Sequence, residues 1–373
     1  MREIKFGVIG CGLMGREFAS AAARWMHLLN MPAKPVIVGA SDVNAGAMEW
    51  FKTHHSLSTA TTDYRELLAD PNIEAIYCAV PHNLHEQIYI DCIRAGKHLF
   101  AEKPFGIDLP SAERIIAVND EHPEVVVRCS SEFPFFPGAQ RIVEMVQNGE
   151  FGQIIELKAG FCHSSDLDPN KPINWKRRAE TNGEYGCMGD LGLHVLHLPL
   201  RFGFKPKNVR ALLSNVFSQR PNAQGESVPC DTWDNAILAC ESAQGFPMLL
   251  ETKRISPGDT DSWYIKILGT KNSAEFSTKH PKTLRTMPYE PGGRQAWQEE
   301  DLGYSSAYPA ITGHIFEFGF SDAILQMWAA FVDELAGNQP KFRCATPAEA
   351  LGSHHLFTAA LESQRTGQTV TIK

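Results

Sequence analysis

The sequence predicts two units in tandem: an α/β unit on a parallel sheet, then an α+β unit on an antiparallel sheet. Three observations lead there. Up to residue 128, short apolar strands alternate with helical segments. After residue 129 the rhythm changes, and long strands joined by short turns follow one another. The chain has 373 residues, and at roughly 150 residues per domain that suits two units, each with a sizeable core. The boundaries are placed at 1–128 and 129–373.

The elements follow in order. Ile4–Ile9 is a short apolar strand, and Ala-rich helical spacing runs from Leu13 to Leu29. Pro35–Ala40 is β-branched and reads as the second strand. Ala45–His54 is helical, and Tyr64–Ala69 is a short helix that Asp70-Pro71 closes. Ile73–Val80 is mostly apolar and reads as another buried strand. Leu84–Ala95 is a helix stopped by Gly96, a residue that tolerates positive φ. His98–Ala101, Leu109–Asn119 and Val125–Cys129 complete the alternation as strand, helix and strand. Strands and helices at this spacing make a parallel sheet covered on both faces.

The second unit opens with a helix over Gly138–Asn148 and a strand over Gln153–Cys162. A helix begins near Asp190, and Pro199 should kink or end it. Val209–Ser218, Asp231–Glu241, Met248–Ser256, Trp263–Gly269 and Ser273–Ser277 are successive strands. Short turns such as Ser242–Phe246 between them imply antiparallel pairing. Pro281–Gly303 is loop and edge strand, and Phe320–Ala336 and Pro347–Arg365 are the closing helices. The aromatics of Phe316–Phe320 and Met327–Phe331 are expected in the core.

Charge and cysteine usage narrow the function classes. The net charge is -8 and the isoelectric point about 6.0, which disfavours nucleic acid or an acidic membrane surface as a partner. No run of about 18 apolar residues marks a membrane span. The amino terminus enters a strand directly, with no export signal, so a cytoplasmic location is expected. Nine scattered cysteines without a CxxC pair read as reduced residues, not a disulfide framework.

Gly10-x-Gly12-x-x-Gly15 lies directly after the first strand and directly before the first helix. Gly10 permits a tight turn, Gly12 lets the backbone approach a pyrophosphate, and Gly15 lets helix and strand pack closely. Leu13 and Met14 open the helix, whose unpaired N–H groups favour an anion. Asp42 ends the second strand, where a carboxylate accepts from ribose hydroxyls and repels a 2′-phosphate. It points to NAD, with NADP kept as an alternative because Ser41 beside it tolerates a phosphate. The third long strand runs into Pro81, Asn83 and His85, expected beside the nicotinamide half of the cofactor unless Asn83 only caps the next helix.

Glu102-Lys103-Pro104 follows another strand of the same sheet, and Pro104 biases Lys103 toward an extended pose at the crevice mouth. On a helix from Asp190, the side chains of Asp190, His194 and His197 share one face. Gly192 beside them removes bulk where a flat ring could approach. The alternative is a helix N-cap at Asp190 with core histidines. Alcohol oxidation explains the grouping, since hydride and proton must both leave and a base near neutral pKa speeds proton removal by about 10²–10⁴-fold. His194 suits that base. Lys103 can donate to the substrate oxygen, with its pKa expected to be pushed down, and Asp190 can orient either of them. His194 and His197 with Cys162, His163, Asp166 or Cys187 lack a second anchored ligand pair, so no metal is expected. Phe133–Pro137 walls a cleft or packs a hinge, and Lys176-Arg177-Arg178 binds an anionic group or is a solvated charge run.

In this order, the GxGxxG start, Ala79–His85, Ala95–Pro104 and Asp190-x-Gly192-x-His194 resemble the glucose–fructose oxidoreductase and inositol dehydrogenase family (Gfo/Idh/MocA). The likeness covers nearly the whole chain. It implies a Rossmann domain with an open-faced antiparallel sheet domain, a nicotinamide cofactor contacted by Gly10, Gly12, Leu13, Met14, Asp42, Pro81, Asn83, His85, Glu102 and Lys103, and a sugar or polyol substrate. It further implies Lys103, Asp190 and His194 as catalytic residues, substrate contacts from Trp175, Arg177 and His197, and a homodimer or homotetramer. Two departures stand out. His197 occupies a position where the family often has Asp, and Ser130-Ser131-Glu132-Phe133 stands where an Asn and an Arg are usual. The leading reading is an NAD-linked carbohydrate dehydrogenase. The alternatives are a glycoside-cleaving enzyme that keeps its NAD bound, and a nucleotide-sensing regulator, against which Lys103, Asp190 and His194 speak.

Overall fold

The first sheet is parallel, with six strands, in the computed structural model, which describes residues 1–373. Its strands are β1 (Arg2–Ile9), β2 (Ala33–Ser41), β3 (Thr59–Thr61), β4 (Ala75–Cys78), β5 (His98–Ala101) and β6 (Val127–Cys129), in the order β3-β2-β1-β4-β5-β6. The order reverses between β1 and β4. Their carboxyl ends therefore open a crevice, the place where doubly wound sheets take ligands. Helices α1 (Leu13–Ala23), α2 (Ala45–His54), α3 (Arg65–Ala69), α4 (His85–Arg94) and α5 (Leu109–Glu121) connect the strands. Helix α1 stops at Ala23 rather than Leu29. Trp25–His27 form a single 3-10 turn, and Trp25 Nε1 donates to Ala33 O at 2.9 Å, which pins the segment to β2. The short edge strand β3 carries no apolar pattern and was not expected.

The second sheet has nine strands and is mixed. Helix α6 (Pro137–Gln147) leads to β7 (Ile154–Cys162), then the short α7 (Ala179–Asn182) and the long α8 (Cys187–Arg201). Strands β8 (Pro206–Ser214), β9 (Gln219–Pro221), β10 (Ser227–Pro229), β11 (Asn235–Ser242), β12 (Pro247–Lys253), β13 (Ser262–Gly269), β14 (Ser273–Ser277), β15 (Thr283–Thr286) and β16 (Gln298–Asp301) follow. Helices α9 (Phe320–Leu335) and α10 (Pro347–Thr366) and strand β17 (Val370–Thr371) end the chain. Strands β9 and β10 form a separate hairpin. The sheet order is β16-β15-β14-β13-β7-β12-β11-β8-β17. Every neighbouring pair is antiparallel except β7 with β12, which corrects the purely antiparallel expectation.

Strand β8 also ends earlier than expected. Asp234 Oδ2 accepts the N–H groups of Val216 and Phe217 at 2.8 and 3.2 Å, turning the chain toward the β9–β10 hairpin. Helices α6, α8 and α10 pack on one face of the sheet, while Leu212, Ile237 and Leu249 of the other face are exposed. Pro199 lies in the last turn of α8, which continues to Arg201 and is not ended by it.

Helix α9 crosses back to cover the first sheet. Trp328 stacks on Phe18 of α1 with centroids 3.7 Å apart, and Phe6, Tyr77 and Phe100 from β1, β4 and β5 close around it. The division expected at residue 128 falls inside β6, whose Cys129 still pairs with Ala101 of β5, and the aromatic cluster around α9 joins the second unit to the first. Phe318 and Phe331 are buried as expected, whereas Phe316 is exposed. All nine cysteines are buried and unpaired, and no helix is long and apolar enough to cross a membrane. Trp328→Ala should cost about 3–5 kcal/mol of stability. In urea the midpoint should fall with an unchanged slope, and a loss under about 1 kcal/mol would show that the α9 contact does not tie the units together.

Candidate active site

The glycine turn divides its labour as its spacing implies. Gly10 has φ of 96°, and a Cβ there would sit 2.2 Å from Ala79 O of the neighbouring strand end. A Cβ on Gly15 would meet Gly10 O at 2.3 Å, whereas one on Gly12 would meet nothing within 4 Å. The tight positions hold the turn together and the open one faces the crevice. Gly12 is also the N-cap of α1 and offers no side-chain acceptor, so the helix's first N–H groups point outward unclaimed. Leu13 is exposed and Met14 half-buried at that mouth. This cradle fits a pyrophosphate.

Asp42 does two jobs at the end of β2. Its Oδ2 accepts the Cys11 N–H at 2.8 Å, fastening the glycine turn, and its Oδ1 accepts from Asn44 N at 2.8 Å. Lone pairs remain on both oxygens for a ribose. Ser41 is buried and its carbonyl accepts from Gly10 N, so it does not offer the phosphate pocket considered for it. Pro81 and the exposed Asn83 lie beyond β4, and Asn83 caps neither the short turn it belongs to nor α4. His85 is fully buried, with Nδ1 2.7 Å from Pro104 O and Nε2 3.0 Å from Val80 O. Its ring braces the β4 and β5 loops against each other and has no nitrogen left for a cofactor. Glu102 is likewise buried, accepting from the Tyr77 hydroxyl at 2.7 Å.

The two units meet at Asp190. Lys103 Nζ, at the end of β5, lies 3.0 Å from Asp190 Oδ1. Lys176 Nζ lies 3.1 and 3.0 Å from the two oxygens, and Arg254 donates to Oδ2 from Nε and Nη2 at 3.2 and 3.0 Å. Helix α8 starts at Cys187 with Gly186 as its N-cap, so Asp190 is not the cap. Its place in the first turn still suits an acid. One turn on, His194 is held edge-on by Phe133 and Phe161, with centroids 5.2 and 5.4 Å away. Its carbonyl accepts from Trp263 Nε1 at 2.8 Å. Trp175 stands edge-to-face with His82 at 4.8 Å and near Lys176.

Several expectations need correction. Arg177 is buried and pairs with Asp166 and with Asp234, the latter at 2.9 Å, so it braces the domain instead of meeting substrate. The neighbouring Lys176 takes the site position. His197 shares the α8 face with His194, but its Nε2 accepts from Arg201 Nη2 at 3.0 Å and its ring packs on Phe342. Gly192 admits Phe357 of α10, whose ring would lie 2.3 Å from a Cβ, and not a ligand ring. Phe133, Phe135 and Phe136 are buried in the hydrophobic core and do not wall an open cleft. Arg254 was missed. It lies far from the other site residues in sequence, and no local pattern marks a strand-end arginine as a partner of Asp190.

The electrostatics sort the roles. Burial alone would raise the Asp190 carboxyl, but Lys103, Lys176 and Arg254 outweigh it and hold the group well below its ordinary value. Burial would lower Lys103, yet Asp190 and Glu102 outweigh that, and its ammonium is stabilised. This reverses the expected downward shift and makes Lys103 a donor. Burial, then Lys103, keeps His194 well below the usual imidazole range, hence neutral and able to accept a proton. Because folding depresses the Asp190 pKa, its stabilisation is present above the unfolded value of 3.8 and drains away as pH falls below it. Asp190→Asn leaves three cations facing a neutral amide and should cost about 3–5 kcal/mol near neutral pH. Thermal melts that show no loss near neutral pH would contradict this charge balance.

A family profile described as "Oxidoreductase family, NAD-binding Rossmann fold" matches residues 4–129, and one described as "GFO/IDH/MocA C-terminal domain" matches 139–275. Levoglucosan dehydrogenase of Pseudarthrobacter phenanthrenivorans is 24% identical over 335 residues, 81% of this chain and 85% of that protein. Glucose-6-phosphate 3-dehydrogenase of Bacillus subtilis is 25% identical over 289 residues, 76% of this chain and 77% of that one. Among solved structures, levoglucosan dehydrogenase in complex with NADH superposes over 100% of both chains with a TM-score of 0.89 at 22% identity, which shows the shared fold. With residues 4–129 and 139–275 matched by its profiles and a pyrophosphate cradle in place, the chain belongs to the Gfo/Idh/MocA family of NAD-binding oxidoreductases.

Proposed function

We propose that the chain is an NAD-dependent dehydrogenase that interconverts a hydroxyl carbon and a carbonyl of a small sugar or polyol. In this reading residues 1–128 hold the dinucleotide and residues 129–373 supply most substrate contacts. The observation that carries it is the meeting of Lys103, from the first sheet, with Asp190 and His194 on α8, at 3.0 Å between Lys103 Nζ and Asp190 Oδ1. Bound nicotinamide supplies the hydride acceptor or donor. The protein's own groups handle the proton and the oxygen. Lys103, held as an ammonium, donates to the substrate oxygen. His194, held neutral, takes the hydroxyl proton in oxidation and returns it in reduction. Asp190 positions Lys103 and Lys176 and offsets their charge. Trp175 offers an apolar face beside them for a sugar ring.

The names of the relatives support the substrate class, since one is a levoglucosan dehydrogenase and another a glucose-6-phosphate 3-dehydrogenase. Asp42 favours NAD over NADP, because a carboxylate repels a 2′-phosphate. The exposed Leu212, Ile237 and Leu249 support self-association through the open sheet face, as a homodimer or homotetramer, which light scattering would read as a multiple of 41.4 kDa. The nine buried thiols support a reducing, cytoplasmic setting.

A panel of levoglucosan, myo-inositol, glucose 6-phosphate and further sugars with NAD, followed by absorbance of reduced cofactor, tests this reading. Extraction of bound cofactor completes it. Lys103→Ala and His194→Ala should each lower turnover by about 10²–10⁴-fold while NAD affinity changes little. Turnover unchanged in both variants, or no compound oxidised or reduced, would reject the assignment. Asp42→Ala should weaken NAD binding about tenfold, the loss of one hydrogen bond to a charged group, and narrow the preference over NADP. Unaltered titration curves for both nucleotides would remove Asp42 from cofactor choice.

A further inference from the structure

Two sealed polar atoms beside the site have no hydrogen-bond partner, and they face each other. Glu132 Oε2 and His194 Nδ1 are both shut off from solvent and lie 3.6 Å apart. The protein satisfies its other buried carboxylates here: Glu102 takes the Tyr77 hydroxyl, Asp190 takes three cations, and Asp234 takes Arg177. Glu132 has no such cation on Oε2. The charged and titratable groups around it are Glu102 and Lys103 from the end of β5, Tyr77 from β4, Asp261 from the approach to β13, and His194 itself. Phe133 and Phe161 grip the imidazole from its edges, so the ring has little freedom to turn its Nδ1 elsewhere. The other ring nitrogen, Nε2, is not sealed.

We propose that Glu132 is the proton partner of His194, a positioning residue whose carboxyl group decides which imidazole nitrogen carries the hydrogen. The inference rests on the dehydrogenase reading of His194. A separation of 3.6 Å is too long for a hydrogen bond. Catalytic hydrogen bonds are often long in unfilled sites and tighten when the ligand is bound. With Glu132 ionised, Nδ1–H donates to Oε2 and Nε2 keeps its lone pair. In oxidation the substrate O–H bond then breaks, an N–H bond forms at Nε2, and the Nδ1 proton passes to Oε2. The imidazole stays neutral overall and the carboxylate becomes the acid. With Glu132 protonated, its O–H donates to Nδ1 and the hydrogen sits on Nε2, ready to be given to a carbonyl oxygen in reduction. Burial first, then Glu102, pushes the Glu132 carboxyl up to about 8, so the two forms exchange close to neutral pH. The ring itself remains uncharged there, for the reasons given above.

Nuclear magnetic resonance of the full chain, labelled with nitrogen-15 histidine and with NAD added, reads the tautomer without any substrate. His194 signals are identified by their loss in His194→Asn. The expected result is an exchange from the Nε2–H to the Nδ1–H pattern on raising pH, with one midpoint near 8. The step should vanish in Glu132→Gln and survive in Glu132→Asp, which keeps a carboxyl group. A flat His194 pattern through that range in the unsubstituted chain, or a step that persists in Glu132→Gln, overturns the proposal. With the panel compound oxidised fastest, kcat should rise through the same midpoint, and Glu132→Gln should lower kcat about tenfold or more with little change in KM. A Glu132→Gln enzyme with the original kcat and pH profile rejects Glu132 alone. A His194→Asn enzyme with full activity rejects the dehydrogenase role of His194 instead.

Discussion

One buried carboxylate organises the crevice. Asp190 receives Lys103 from the first sheet and Lys176 and Arg254 from the second unit, so a single anion ties together three cations brought from distant parts of the chain. Its removal would leave like charges facing one another at low dielectric, where repulsion is far stronger than in water. The same arrangement sets the charge states of its neighbours. A strongly ionised Asp190 keeps Lys103 an ammonium, and that ammonium in turn discourages charge on His194. Lys103 is thereby held charged and His194 neutral, the difference on which their proposed donor and acceptor roles depend.

The scaffold brings these groups together through packing at two places. Trp328 wedges α9 into an aromatic cluster that includes residues from β1, β4 and β5, which fixes the second unit against the parallel sheet. Gly192 lets Phe357 of α10 press against α8, which holds the helix carrying Asp190 and His194 from behind. Glycines thus serve two purposes. Gly12 leaves room for a ligand, whereas Gly10, Gly15 and Gly192 leave room for the protein itself.

Much of this was legible in the sequence because it is local. The glycine turn, the strand ending in Asp42, Lys103 before a proline and the four-residue spacing of Asp190 and His194 each follow from a few neighbouring residues and a known backbone geometry. What was not legible depends on distant partners. Arg177 and Lys176 are adjacent, and only Asp166 and Asp234 decide that the first is a buried brace and the second a site residue. His197 has the right helical phase but is captured by Arg201. Arg254 continues the β11–β12 hairpin, its N–H bonded to Asp234 O at 3.0 Å, but only the packing of α8 on that hairpin, which no local pattern marks, brings Asp190 to it. The parallel pairing of β7 with β12 inside a mainly antiparallel sheet is likewise a matter of which strands meet, not of their pattern.

The central claim is spatial: an amine and an imidazole from two units address one ligand atom beside the nicotinamide. A crystal structure of the chain with reduced cofactor and a bound sugar or polyol measures this most directly. The account predicts one substrate oxygen within hydrogen-bond reach of both Lys103 Nζ and His194 Nε2, with its carbon about 3–3.5 Å from the reacting nicotinamide carbon. A ligand oxygen that reaches only one of the two groups, or a nicotinamide seated away from α8, would contradict it.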